Sequence, residues 1–219
     1  GEAETKPLIH SYTLEQIYEY IDTVDVEEIR FIGDAFRMNY ELFEEGLNSP
    51  RTTYARYLLK KNGGEIISKD EQKTASLLCN AAIEARVIGL DKPAMSITGS
   101  GAHGIIATLP LYAVAKVNGL SDEKLLRATA LSYLVCMYIK EYSGKLSAFC
   151  GCGVAAATGV AAATVYLLGG DFTQAQGAMG SVIGMTKDAL NPVMDSAKQM
   201  GQAVGGAPSD GWDCPECGT

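Results

Sequence analysis

Three stretches of this chain hold residues whose types and spacing could do chemistry. The first is Ser96-Ile97-Thr98-Gly99-Ser100-Gly101-Ala102-His103-Gly104, a glycine- and hydroxyl-rich loop that runs straight into an apolar segment. Backbone N–H groups at a helix start can hold a carboxylate or phosphate, and glycines let such a ligand approach the main chain. The competing reading is a plain structural turn, because glycine also serves wherever the backbone turns tightly. No Lys follows the last Gly and no strand pattern precedes the loop, so it is neither a Walker loop nor a dinucleotide fingerprint. His103, one of two histidines, either donates to a bound anion and works as an acid/base, or simply caps and packs at the helix start. His10, in a polar N-terminal segment, is expected at the surface.

The second stretch runs from Lys140 to Cys152 (Lys140-Glu141-Tyr142-Ser143-Gly144-Lys145-Leu146-Ser147-Ala148-Phe149-Cys150-Gly151-Cys152), a polar elbow between two apolar segments. Thiols just before a helix N-terminus favour thiolate, the form that binds metal or attacks. The alternative makes Cys150 and Cys152 small core residues. The third stretch, Cys214-Pro215-Glu216-Cys217, is a knuckle of the zinc- or iron-binding kind but only half a tetrahedral site. With Cys150 and Cys152 it would bring four thiols, the number that closes a zinc site.

The elements that must position these residues are helices. Thr13 with Gln16, Asp25 with Glu28, Ser68 with Glu71 and Thr173 with Gln176 each match a capping box. Gly46, Gly89, Asn118-Gly119 and Gly169-Gly170 supply residues at which helices stop. Together they predict helices near 14–21, 26–46, 69–88, 104–117, 122–142, 152–168, 173–188 and 193–203. No segment shows sustained period-two alternation, although Glu65-Ile66-Ile67 could extend briefly. The expected fold is all-α, compact, with a central, buried, Ala/Gly-rich helix.

That helix, within the uncharged run Gly151 to Leu168, is weakly hydrophobic and has no companion span, so it reads as a core helix rather than a membrane crossing. Residues 8–204 are expected to form one helical domain, and 205–219 a Gly/Pro/Cys-rich tail. The 219 residues carry 18 Lys/Arg against 26 Asp/Glu, a net charge of -8. Nucleic acid and anionic lipid surfaces, which need a basic footprint, are therefore not expected partners. The N-terminus lacks the pattern of a secretory signal, and a cytoplasmic location is expected.

With these residues in view, the chain resembles the iron–sulfur-dependent L-cysteine desulfidase and L-serine dehydratase alpha-chain family. The matching pieces are Met38-Asn39, Glu44-Glu45-Gly46-Leu47, Ala85-Arg86 to Gly104, Leu125 to Ala130, and above all Tyr138-Ile139-Lys140 through Cys152. Gly169-Gly170-Asp171 and Gly184-Met185 extend the resemblance to roughly residues 13–185.

The resemblance implies a lyase that removes water or hydrogen sulfide from a small amino acid such as L-serine or L-cysteine, giving pyruvate and ammonia. It implies a [4Fe-4S] cluster held by three cysteines, with one open iron acting as Lewis acid. Carried onto this chain, Cys152 becomes the first ligand, and the loop residues Ser96, Thr98, Gly99, Ser100, Gly101, His103 and Gly104, with Ser147, hold the substrate. Lys140, Lys145 and His103 assist the chemistry.

Three departures qualify that picture. Where the family carries its remaining ligands in a Cys-Asp-Gly-Ala-Lys stretch and a later Cys, this chain has Met194-Asp195-Ser196-Ala197-Lys198 and Gly201. A thioether and a glycine cannot replace thiolates on iron, so a cluster here calls on Cys214 and Cys217. Ala102 stands where many relatives have an amide. The desulfidase N-terminal half, with the cysteine proposed as base, is not in this chain, so a partner chain is expected to supply it. Oligomerisation is expected as well. The alternatives are a non-catalytic relative that binds a small carboxylate or a partner, and a zinc-binding interaction module.

Overall fold

The computed structural model describes residues 7–143 and 150–185, and among these every regular element is helical. Outside the helices there is one isolated bridge, between Ile97 and Ser100. The chain divides into two units, Gly1–Val182 and Ile183–Thr219. The predicted helix 193–203, the tail 205–219, and Lys145, Ser147, Cys214 and Cys217 lie outside the described residues.

Helix α1 (Leu14–Thr23) starts at the predicted capping box. Gln16 N–H donates to the Thr13 hydroxyl at 3.1 Å, and Thr13 N–H donates to Gln16 Oε1 at 2.9 Å. The expected helix 26–46 is instead α2 (Val26–Ile29), a 3₁₀ turn (Arg30–Ile32) and α3 (Gly33–Asn48). Ile29 leaves the helical region at φ -106°, ψ 5°, and Asp25 accepts from Glu27 N–H rather than forming a box with Glu28. The bend serves two cores: Ile29 packs with α1, while α3 turns Leu42 and Phe43 towards another helix.

Gly46 does not end α3. It lies inside it, where a Cβ would collide with the Ala81 carbonyl, so the glycine is the point at which two helices cross closely. The helix it crosses is α5 (Glu71–Val87), reached through α4 (Tyr54–Lys61), which the sequence pattern did not predict. No side chain of its own caps α4. Glu84, on α5, accepts from the N–H groups of Thr53, Tyr54 and Ala55 at 2.9, 3.0 and 2.8 Å. The N-cap of α5 is Asp70, not Ser68; the Ser68 hydroxyl donates to Asn62 Oδ1 instead. Glu65 to Ile67 is irregular.

The predicted helix 104–117 is two helices, α6 (Gly101–Ile106) and α7 (Leu109–Val117), parted at Ala107-Thr108. Pro110 in the first turn of α7 has no N–H to donate to Ile106, which stops one continuous helix. Then come α8 (Asp122–Ser143), a π-helical turn (Cys152–Ala156) and α9 (Ala157–Leu167). Residues 172–182 are helical again, started by a box between Asp171 and Gln174, two residues before the predicted one.

Three apolar clusters hold this arrangement. One gathers Ile17, Ile21, Leu125, Leu131, Ala163 and Leu167 from α1, α8 and α9. The second joins α3, α5 and α7 through Phe43, Leu77, Leu78, Ala82 and Leu109. The third lies beneath the glycine-rich loop: Ala35, Ile97, Ala107, Tyr133, Cys136, Ala155 and Ala156. No residue from 151 to 167 is exposed, so the Ala/Gly-rich segment is the interior helix expected of it. No helix among the described residues is long and apolar enough to cross a membrane.

Candidate functional site

The loop is held from α3 by one buried amide. Asn39 Oδ1 accepts from Met95 N–H at 3.0 Å, and Asn39 Nδ2 donates to Gly104 O at 3.2 Å and Thr108 Oγ1 at 3.3 Å. One side chain thus ties both ends of the segment 95–104. The Thr108 and Tyr133 hydroxyls also donate to Gly104 O, and lie 3.0 Å from each other. Burial pushes the Tyr133 hydroxyl up to about 12, so it stays a neutral donor. Gly104 is obligatory, because a Cβ there would run into the Met95 carbonyl.

Between those anchors the chain makes a tight turn. Thr98 takes a positive φ of 53°, unusual for a β-branched residue, and Gly99 follows at 77°. Ser100 caps α6, its hydroxyl accepting from His103 N–H at 3.3 Å. The Thr98 hydroxyl donates to Ile97 O at 2.7 Å and lies 3.2 Å from His103 Nδ1. With its single proton spent on Ile97, Thr98 accepts from Nδ1–H, and that assignment leaves Nε2 of His103 as an acceptor.

Nε2 faces the elbow. A Cβ on Gly151 would stand 2.5 Å from His103 Nε2 and 3.6 Å from Lys140 Cδ, so loop, elbow and lysine meet at one glycine. His103 and Lys140 are both buried, 8% and 7% exposed. Desolvation and the Lys140 charge hold the imidazole below its usual value, so it is neutral at pH 7.

The two elbow thiols differ. Cys150 is exposed, and the N–H groups of Gly153 and Cys152 lower its thiol, whereas the helix-start expectation covers both thiols. Cys152 is half-buried, and burial followed by the Cys150 charge raises it; the Arg86 charge partly offsets this. Burial pushes Cys79 up to about 12 and Cys136 up to about 11, so both remain protonated neighbours of Cys152. Among the described residues no three His, Cys, Asp or Glu side chains are grouped to hold a metal ion. The cluster or zinc site expected from the sequence would draw its remaining thiols from Cys214 and Cys217, outside the described residues.

Several contributors escaped sequence reasoning. Arg86 and Asn39 lay in matching stretches without a role; a buried amide in the apolar stripe Ala35, Asn39, Leu42, Phe43, Gly46 was the available signal. His10, expected at the surface, is buried: Nε2 lies 2.9 Å from Tyr138 O, and the ring stacks on Tyr142 at 3.8 Å. A cleft of about 360 Å³ between Phe36, Tyr40, Tyr112 and Lys116 is a different place from this site.

The serine dehydratase alpha chain family matches residues 5–190. Over 191 residues the chain is 44% identical to a UPF0597 protein of Methanocella arvoryzae, covering 87% of this chain and 44% of that protein. A UPF0597 protein of Clostridium botulinum is 45% identical over 172 residues, 77% of this chain and 39% of its own length. A third, of Caldanaerobacter subterraneus, is 40% identical over 178 residues, 81% of this chain and 41% of its own length. The chain thus spans less than half the length of these curated relatives. No solved structure matches it.

Proposed function

Since the chain belongs to the serine dehydratase alpha chain family, we propose that it forms the substrate-holding part of a lyase that eliminates water or hydrogen sulfide from a small amino acid such as L-serine or L-cysteine. The observation that carries this reading is the meeting of loop and elbow at His103 and Gly151. Two stretches with chemistry-bearing residues, 48 positions apart, come together around a neutral imidazole and a buried lysine.

In the reaction the α C–H and the β C–O or C–S bonds break, giving an enamine that tautomerises and takes up water to yield pyruvate and ammonia. The loop Ser96 to Gly104 orients the substrate carboxylate, and Ser147 adds a hydroxyl. His103 Nε2 accepts or returns a proton, and Lys140 with Lys145 balances the negative charge that develops. Cys152, Cys214 and Cys217, with Cys150 as a further thiol, would hold a [4Fe-4S] cluster, which would supply Lewis-acid polarisation of the leaving group. Remaining groups belong to the further length that the relatives possess, on this polypeptide or a partner chain.

The second reading is a relative that binds a small carboxylate without turning it over, favoured by Met194 and Gly201 at the expected ligand positions. Anaerobic purification with iron, sulfide and zinc analysis, followed by pyruvate assay with L-serine and L-cysteine, separates the two. Iron and sulfide with pyruvate formation support the lyase. A cluster-free protein after reconstitution that makes no pyruvate sinks it, and zinc without sulfide points to a structural thiol site.

A further inference from the structure

Six arginines occur in the chain, all within the described residues. Five are spent on neighbours. Arg30 and Arg37 pair with carboxylates, Arg51 donates to Ile88 O, Arg56 to Ser49 O, and Arg127 to Ile21 O, Val24 O and Glu123. Arg86 alone donates to no oxygen among the described residues.

A cation in the last turn of a helix is commonly explained by the helix dipole and the free carbonyls there. That explanation does not suit Arg86, because Arg51 already serves the end of α5 by donating to Ile88 O at 2.6 Å. The Arg86 side chain turns to the loop instead: a Cβ on Gly101 would stand 2.7 Å from Arg86 Nε and 3.3 Å from Cδ. The guanidinium thus lies against the loop at Gly101. Among the described residues its terminal donors have no acceptor, and the loop beside them also carries the Ser100 hydroxyl and His103.

The geometry points to Arg86 as the residue that reads the ligand's carboxylate at this loop, a planar fork matched to a planar anion. The inference rests on the proposed function for the location of the ligand and adds the group that selects it. A guanidinium offers two parallel N–H donors to one carboxylate, which the glycine-lined backbone beside it cannot do with its isolated N–H groups. Gly101 has a matching role, since any side chain there would displace Arg86.

The test uses the full chain and two probes differing only in the carboxylate, L-serine and L-serinamide, with affinities measured by calorimetry. Wild type is expected to prefer L-serine by about 10- to 100-fold, the scale of a charge-assisted pair. Arg86→Ala should lose that preference and Arg86→Lys should keep part of it, a ratio that general loosening of the fold does not move. Arg86→Gln gives the same readout should the alanine variant fail to fold. A preference intact without the guanidinium overturns the inference and leaves the proposed function standing. Equal binding of both probes by wild type overturns it too, and binding of neither overturns it together with the proposed function.

Discussion

His103 and Gly151 are in such close register that the imidazole occupies the space a side chain at 151 would need, 2.5 Å from both Cε1 and Nε2. Gly151→Ala should therefore push the ring out of place and cost ~1–3 kcal/mol, the range for overfilling a packed site. His103→Ala in the same chain should recover most of that loss. Chemical denaturation of both single variants and the double variant gives the coupling; strictly additive losses would disprove the contact.

Asn39 is the amide that bridges Met95 N–H and Gly104 O. Asn39→Ala strands the Met95 N–H, while Gly104 O keeps the Thr108 and Tyr133 hydroxyls, and should lower the unfolding free energy by ~1–3 kcal/mol, the cost of one buried group left unsatisfied. Asn80, whose amide bonds only within its own helix, is the control. Equal midpoints for the two alanine variants would argue against a loop anchor.

The depressed His103 makes a pH prediction with a definite sign. Its folded value lies below the ordinary 6.5, so between the two values the unfolded chain binds more protons and stability rises with pH. Its contribution is fully present above about pH 6.5 and fades as the solution is acidified through the folded value. Melting curves from pH 7.5 to 5 should fall less steeply for His103→Gln than for wild type, and parallel curves would contradict the burial beside Lys140.

The four described thiols should react with iodoacetamide in an order set by exposure and thiolate character. Cys150, exposed and lowered by two N–H groups, reacts first; Cys152 follows, and Cys79 and Cys136 react only on unfolding. Mass mapping of timed alkylation reads the order, and early labelling of Cys136 would contradict its burial.

Glu84 carries the start of α4 on its carboxylate. Burial would raise its carboxyl, but three backbone N–H donations outweigh that and hold it below the usual range. Its stabilising effect is therefore present above the unfolded carboxyl value and lost as pH falls through the folded one. Glu84→Gln should cost ~1 kcal/mol at neutral pH, the scale of a lost N-cap. Urea midpoints at pH 7 and pH 3.5 check this, and the difference between variant and wild type should shrink at the lower pH.

The helical class and most helix positions were legible because local signals carry them, as Thr13 with Gln16 does for α1. What escaped was set by partners distant in sequence. Nothing near Tyr54 announces a helix whose cap sits on Glu84, and Gly46 looked like a terminator because its reason for being glycine is Ala81 on another helix. The site divided the same way. His103 and the Cys-Gly-Cys elbow stand out as types and spacing, whereas Asn39 and Arg86 gain meaning only once α3 and α5 lie beside the loop. Pro110 was a visible local signal, and it marks where one predicted helix became two.

A cap supplied from thirty positions away also fixes an order of assembly. An eight-residue helix is too short to persist by itself in water. Residues 54–61 therefore acquire their helix only after α5 has docked, and whatever releases α5 releases them as well. The amides of the two segments should open as a single cooperative unit, with the shorter one never outlasting the longer.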